Sequence, residues 1–505
     1  MLGGLIQRRA WGQQQRRRRR GPAAPAPARV VLPLAMHALA ALALLAPLAR
    51  ARTPWAQVVM ADAHEPEMQE WLVQQRRQLH MIPELAFEEV KTSAHIRAAL
   101  DELGIPYTYP VAKTGIVARV GPPPYRVALR ADMDGLPIAE GPRGLAYEST
   151  HPGRMHACGH DAHSAMLLGA ARLLQRRAAE LAEAGRGGVA LLWQPAEEGL
   201  GGAGVVLDEG ALAGVEAIFG MHVWPLANSS GTLGTRPGPV MAASTRFSVT
   251  IRGRGGHAAL PHAAIDPVVA AAQAVIALQP LVSRETSPVD SAVISVTRFN
   301  TGPGAVNVIP ESVELQGTLR ALSAPTFERL QRRIQDVVNA TAAAAGCAAA
   351  GWAWSAVPYP PLVNDPGLAA LAARVAQSIE AAAAAAALPS GGGGGASGGG
   401  GGGPPLPRFT PLEAPTLAAE DFAIYGARGG IPSCFLFMGV EGGRDGEGRV
   451  AGLHTPWFQA EEARLPLGAA LHAALALEAL EWLGAGGAGG AAAAGGGAEP
   501  DRSEL

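Results

Sequence analysis

The chain has 505 residues, 48% of them apolar, and a net charge of −2. That length exceeds one simple domain and the apolar share is enough for a sizeable core, while the near-neutral charge gives no sign of a polyanion partner, so nucleic-acid binding is set aside. Its three cysteines, Cys158, Cys347 and Cys434, are too few, and odd in number, for a disulfide framework.

Residues 1–61 read as a presequence. Arg16 to Arg20 are consecutive arginines, an apolar segment runs from about Val30 to Ala49, and the first acidic residue is Asp62. A basic region, an apolar region and small residues resemble a signal peptide. An uncleaved membrane anchor and an Arg-rich transit peptide for a plastid or mitochondrion are the alternatives. The closing Arg502-Ser503-Glu504-Leu505 shares its last two residues with the ER-retention tetrapeptides. Together the two ends point to the secretory pathway and the ER lumen.

From 62 to 103 apolar residues fall at helical spacing (Trp71, Leu72, Leu79, then Ile96, Leu100, Leu103), broken at Pro83. His80, before the break, reads as structural. Tyr125–Leu129 reads as a strand, followed by Asp132 and Asp134. Aspartates there suit the carboxyl edge of a sheet, where open α/β sheets bind ligands; ordinary turn chemistry is the other reading.

Met155 to His163 reads Met-His-Ala-Cys-Gly-His-Asp-Ala-His, dense in metal-ligand side chains, with an apolar helical pattern following over Ala165–Leu174. Thiolate and imidazole suit zinc and related divalent ions, although a polar loop around a buried cysteine would look similar. Gly188–Trp193 is a second strand, leading to Glu197 and Glu198. Adjacent carboxylates after a buried strand are costly unless they bind something, and they let one ligate a metal while the other stays free as a base. Val215–Phe219 is a third strand, ending in Gly220-Met221-His222.

The pattern then changes. Phe247–Ile251 alternates as a half-exposed strand. His257 follows in a glycine-rich loop, then a helix from Asp266 to about Leu278. A strand over Ser291–Phe299, the loop ending Asn307-Val308-Ile309-Pro310, a strand over Val313–Leu319 closing on Arg320, and a helix from Pro325 to about Ala344 complete the segment. Strand–helix–strand–strand–helix suggests a small α+β domain inserted into a larger one. Asp365 to about Ala387 is helical, Ser390–Pro405 is a Gly/Ser-rich insertion expected to be flexible, Ser433–Met438 is a strand, and a last helix covers about Leu467–Leu483.

Arg-Ala-Asp-Met-Asp-Gly-Leu-Pro, Met-His-Ala-Cys-Gly-His-Asp-Ala-His, Gln-Pro-Ala-Glu-Glu-Gly, Gly-Met-His, Gly-Gly-His-Ala-Ala, Asn-Val-Ile-Pro, Ala-Glu-Asp-Phe and Gly-Leu-His-Thr-Pro occur in this order. In this the chain resembles the binuclear metal-dependent amidohydrolases that include hippurate hydrolase, N-acyl-amino-acid deacylases and the plant auxin-conjugate (IAA-amino acid) hydrolases. The likeness spans about Glu67 to Leu483 outside the Gly/Ser insertion.

The resemblance implies an α/β fold: a larger two-metal hydrolase domain with an inserted, smaller α+β satellite domain that closes over the cleft and forms a homodimer. The expected organisation is a presequence over 1–61, catalytic domain over 62–237 and 359–483 with the insertion at 388–407, satellite domain over 238–358, and a Gly/Ala-rich tail over 484–505. It also implies Cys158, His160, Glu198, His222 and His454 as ligands to two divalent ions, with Cys158 bridging, and Glu197 as general base. His257, Asn307 and Arg320 would face the substrate, the histidine in dimeric relatives coming from the partner subunit. Manganese is put first, with zinc, cobalt and nickel compatible. The expected reaction is hydrolysis of the amide of a small N-acyl amino acid, an auxin conjugate first, with a general deacylase, a hippurate-type hydrolase or a dipeptidase as alternatives. A catalytically silent scaffold is disfavoured, because the base and all five ligands are present.

Overall fold

The computed structural model describes residues 55–225, 229–387 and 405–487. The arginine run, the Val30–Ala49 segment, most of the Gly/Ser insertion, nearly all of the tail and the terminal Glu-Leu pair lie outside the described residues.

In chain order, helices α1 (Trp55–Ala63), α2 (Pro66–His80) and α3 (Val90–Glu102) precede strands β1 (Tyr107–Val111), β2 (Gly115–Val120) and β3 (Tyr125–Asp132). Helix α4 (His160–Gln175), β4 (Gly188–Gln194) and β5 (Ala217–Pro225) follow. The satellite domain holds β6 (Ala243–Arg252), α5 (Pro267–Ser283), β7 (Ala292–Asn300), β8 (Ser312–Ala321), α6 (Ala324–Ala344) and β9 (Ala348–Trp354). The chain then returns through α7 (Pro366–Ala387), β10 (Ser433–Val440) and α8 (Leu465–Gly484).

The large sheet runs β1-β2-β4-β3-β5-β10, extended by the short strands Thr232–Gly234 and Arg408–Phe409. Its middle strands β4, β3, β5 and β10 are parallel neighbours. Every residue of β4 and β10 is buried, as expected of strands covered on both faces. Helix α8 is apolar on all sides and buried nearly throughout, packing on α1, α4 and α7. Parallel pairing brings the carboxyl ends of β3, β4 and β5 to one edge, so Asp132, Glu197 and His222 arrive together although 90 residues of chain separate the first from the last.

The satellite sheet is antiparallel, β7-β8-β6-β9. Strands β6 and β8 alternate buried and open residues. Their inner face (Phe247, Val249, Ile251, Val313, Leu315, Leu319) packs with α5 and α6 into a separate core. On α6 that face is Phe327, Leu330, Ile334, Val338 and Ala342, at helical spacing. The two crossings between domains run side by side: Gly238–Met241 pairs antiparallel with Leu362–Asn364, and Ser244 bridges Tyr359.

Several expectations are corrected. Helix α1 begins inside the stretch read as presequence, and Trp55, Ala56, Val59, Met60 and Ala63 are buried in the main core; residues from Trp55 on, rather than from Asp62, thus belong to the folded body. The third strand extends to Pro225, because its pairing with β10 continues through His222↔Phe437. His222 is therefore held within a strand. The satellite domain gains β9, whose Ala-Ala-Ala-Gly start carries no strand pattern and which forms against the edge of β6. As the break at Pro83 implied, α2 and α3 are separate helices, with the Glu84 carboxylate accepting from the Thr92 backbone N–H near the start of the second (2.9 Å).

Candidate metal centre

The edge formed by β3, β4 and β5 opens into a cleft of about 1320 Å³, closed on its far side by the open face of the satellite sheet. Cys158, Glu197, Glu198, His222 and His454 line it. Cys158 Sγ lies 3.3 Å from His222 Nε2 and 3.2 Å from His454 Nε2. Two groups of three donors form around that sulfur, Cys158–His160–His222 and Cys158–Glu198–His454, each with its donor atoms within 4.8 Å of one another.

Local structure aims these atoms. Gly159 has φ +90°, the left-handed region open to glycine, and it ends the loop so that α4 starts at once with His160. A Cβ at Gly159 would sit 2.5 Å from Val223 Cγ2. Gly159→Ala is therefore expected to cost about 2–4 kcal/mol from backbone strain plus overpacking. The check is the urea midpoint of the metal-free protein, and an unchanged midpoint would contradict the packing described.

His160 Nδ1 donates to the Asp134 carbonyl (2.9 Å), and His222 Nδ1 to the Val223 carbonyl (2.6 Å). Both rings thus keep Nε2 free for a ligand, the arrangement metal-binding histidines adopt. Asp134 also accepts from the backbone N–H groups of Glu197 (3.1 Å) and Glu198 (3.0 Å). One aspartate thereby orients a histidine and both glutamates, resolving its role toward the site rather than a turn.

His163 and Asp132 sit beside this centre and are already satisfied. His163 Nδ1 donates to Asp132 (2.7 Å) and its Nε2 accepts from the Val223 N–H (2.9 Å). The other Asp132 oxygen takes Arg130 at 2.6 Å. Buried Arg130 also reaches Gln194, Glu420 and Asp421, which gives the Ala-Glu-Asp-Phe motif a place beneath the cleft. His80 is structural as read, bound to Asp161 (2.7 Å) and Glu140 (3.1 Å).

The donors fit a divalent cation. His160 Nε2 is buried with no hydrogen-bond partner among the described residues, and Glu198 Oε1 faces His454 Nε2 at 3.1 Å. Burial lowers the affinity of His160 for a proton, yet Asp132, Asp134 and Glu198 push it up to about 10, a mark of surroundings that demand positive charge. Burial, then Glu198 and Glu197, push the Cys158 thiol well above its ordinary range; a bound cation reverses that balance and favours the thiolate. Glu197 is pushed well above the usual carboxylate range by burial, then by Glu420 and Glu198.

The Glu197–Gly201 loop is held by a residue that sequence patterns did not single out. The Tyr359 hydroxyl donates to the Glu197 carbonyl (2.5 Å) and accepts from the Gly199 and Gly201 N–H groups (2.9 and 3.2 Å). That is the full capacity of a phenol hydroxyl. Only its place between the domains reveals this role. Tyr359→Phe is expected to lower kcat roughly 10- to 100-fold by loosening the loop while two ions stay bound. Wild-type kcat in that variant would remove the role.

Of the expected substrate residues, the structure brings Arg320 to the cleft and leaves His257 and Asn307 outside its walls. The latter two lie together on the satellite domain, both exposed, with the Asn307 carbonyl accepting from the Ala258 N–H (2.9 Å).

Residues 128–398 match the model of Peptidase family M20/M25/M40. The chain is 41% identical over 411 residues to the Arabidopsis thaliana IAA-amino acid hydrolase ILR1-like 4, covering 81% of this chain and 85% of that one. Against the Bacillus subtilis N-acetyl-L-cysteine deacetylase it is 38% identical over 403 residues, covering 79% and 85%. Among solved structures, a Bacillus subtilis protein described as a dinuclear metal binding peptidase of the M20 family superposes with a TM-score of 0.64 at 34% identity, covering 83% of this chain and 99% of that one.

Proposed function

This chain belongs to peptidase family M20/M25/M40, and from that membership we propose that it hydrolyses the amide bond of N-acyl amino acids, indole-3-acetyl conjugates first, releasing the free acid and the amino acid. It is a metal-dependent amidohydrolase that uses two divalent ions. The observation that carries the assignment of parts is Cys158 shared between two three-donor groups; Glu197 belongs to neither, though it comes within the same reach of His160 and Glu198.

Cys158, His160, Glu198, His222 and His454 would hold the ions, which when bound supply Lewis-acid polarisation of the scissile carbonyl and acidify water. Glu197 takes a proton from the attacking water on a carboxylate oxygen and returns it to the departing nitrogen. Glu198 is a poor candidate for that work, since a carboxylate committed to a metal is the weaker base. Asp134 and Tyr359 keep the two glutamates in their separate places. Arg320 suits the carboxylate of the substrate's amino-acid half. Manganese is our first choice of metal, and the mix of thiolate, imidazole and carboxylate also suits zinc, cobalt and nickel.

His257 and Asn307 serve, in this reading, the cleft of a second copy. The satellite domain supports such a homodimer: Val269 and Ile276 on α5 are 51% and 70% exposed, and β7 is an edge strand. Sedimentation of a fully active monomer would overturn it.

The test of function is hydrolysis by protein that retains α1, stripped with chelator and resupplied with Mn²⁺. The panel is indole-3-acetyl-alanine, hippurate, N-acetylmethionine and a plain dipeptide. Metal-dependent release highest from the indole conjugate is expected. Preference for hippurate or the acetyl substrate would move the reading to general deacylation.

A further inference from the structure

The cleft has two walls of opposite character. The catalytic edge contributes Glu197, Glu198 and Glu420. The satellite sheet contributes Arg246 and Arg320 among neutral neighbours such as Ser244, Ser248, Gln316 and Thr318. Both arginines belong to the open face. On β6 Thr245 and Phe247 are buried and Arg246 between them is exposed; on β8 Leu319 and Ala321 are buried and Arg320 is half-buried. Register pairs Arg246 with Thr318 and Arg320 with Ser244. The two guanidiniums therefore start from diagonal positions about 7–8 Å apart on one face of adjacent strands, within reach of each other for long side chains.

Among the described residues neither guanidinium has a carboxylate partner. That of Arg246 makes no hydrogen bond or ion pair among the described residues, although it reaches the catalytic loop: a Cβ on Gly199 would lie 3.8 Å from its Nη2. Among the described residues the Arg320 guanidinium donates only to the Leu417 carbonyl (2.7 Å). Burial, and then Arg246, hold Arg320 below its ordinary range. Two like charges set side by side on the cleft wall, with no counter-ion among the described residues, are an unfilled demand for negative charge. The α-carboxylate of a neutral amino acid meets half of it.

We propose that Arg246 and Arg320 form a paired carboxylate reader, Arg320 for the α-carboxylate and Arg246 for a side-chain carboxylate, which makes conjugates of dicarboxylic amino acids (N-acyl aspartate and N-acyl glutamate) the preferred substrates. This rests on the amidohydrolase reading and specifies the leaving half of its substrate. Guanidinium is suited to the task because its planar fork matches a carboxylate with two parallel hydrogen bonds.

The test compares isosteric ligands. Binding of indole-3-acetyl-aspartate and indole-3-acetyl-asparagine is measured by calorimetry on the Mn²⁺-loaded Glu197→Gln protein, in which turnover is blocked. The expected result is aspartate binding roughly 10-fold or more tighter than asparagine, with the ratio falling to about one when Arg246→Gln is added. Equal binding of the two ligands, or an Arg246→Gln change that weakens both alike, would overturn the assignment. Hydrolysis by the unsubstituted protein is followed separately. If no conjugate is hydrolysed, the function fails, while the aspartate-to-asparagine binding ratio still decides this site. Retention of the thermal midpoint in Arg246→Gln separates loss of the reader from loss of the fold.

Discussion

Glu197→Gln is expected to lower kcat by about 10²–10⁴-fold, the usual worth of a positioned general base, while leaving two ions bound. The side chain lines the cleft, and its backbone is fixed by Asp134 on one side and Tyr359 on the other. Glutamine has the same shape and disturbs neither anchor, but it cannot accept the proton of the attacking water. Metal stoichiometry by elemental analysis, beside single-turnover rates on the best conjugate, separates chemistry from assembly. A variant that binds two ions and turns over at the wild-type rate would show that the base lies elsewhere.

Cys158→Ala should have the second large effect, for a different reason. Its sulfur is common to both three-donor groups, so its removal takes a ligand from each. Bound metal is expected to fall from two ions to one or none, and kcat by at least about 10³-fold, since several kcal/mol of Lewis-acid stabilisation go with it. The alanine leaves the loop geometry to Gly159 and the start of α4, so the thermal midpoint of the metal-free protein should move little. Two ions retained at full affinity would mean that the cysteine is only a buried neighbour of the centre. Mn²⁺ titration of the stripped variant, read by calorimetry, decides between these outcomes.

The five expected ligands did not need the structure to be suspected. Cys158 and His160 stand two residues apart, Glu198 follows a buried strand, His222 closes Gly-Met-His, and His454 is the centre of Gly-Leu-His-Thr-Pro. Residues that work by local chemistry carry their mark in local sequence. Helices with a regular apolar face, such as α6, were legible for the same reason, and so was the alternation of β6 and β8. Helix α1 was hidden because it follows an apolar, Ala-rich run; its five buried positions have meaning only against α7 and α8. Strand β9 was hidden because an edge strand can form on a neighbour's hydrogen bonds without a pattern of its own.

Periodicity and element order thus pointed to the α/β class and the inserted satellite domain, and the family resemblance carried by the ordered motifs named the set of side chains expected to hold metal. Three further matters were decided only by the tertiary structure. Asp134 became the common anchor of His160, Glu197 and Glu198. Tyr359 came to cap the catalytic loop from a site 158 residues further along the chain than Gly201. Arg246 came to stand beside Arg320 with no counter-ion among the described residues. Each depends on strand register or on the crossing between domains. Hydrogen bonds and unpaired charges act through space, over a few ångströms, and chain distance leaves no record of which groups will meet.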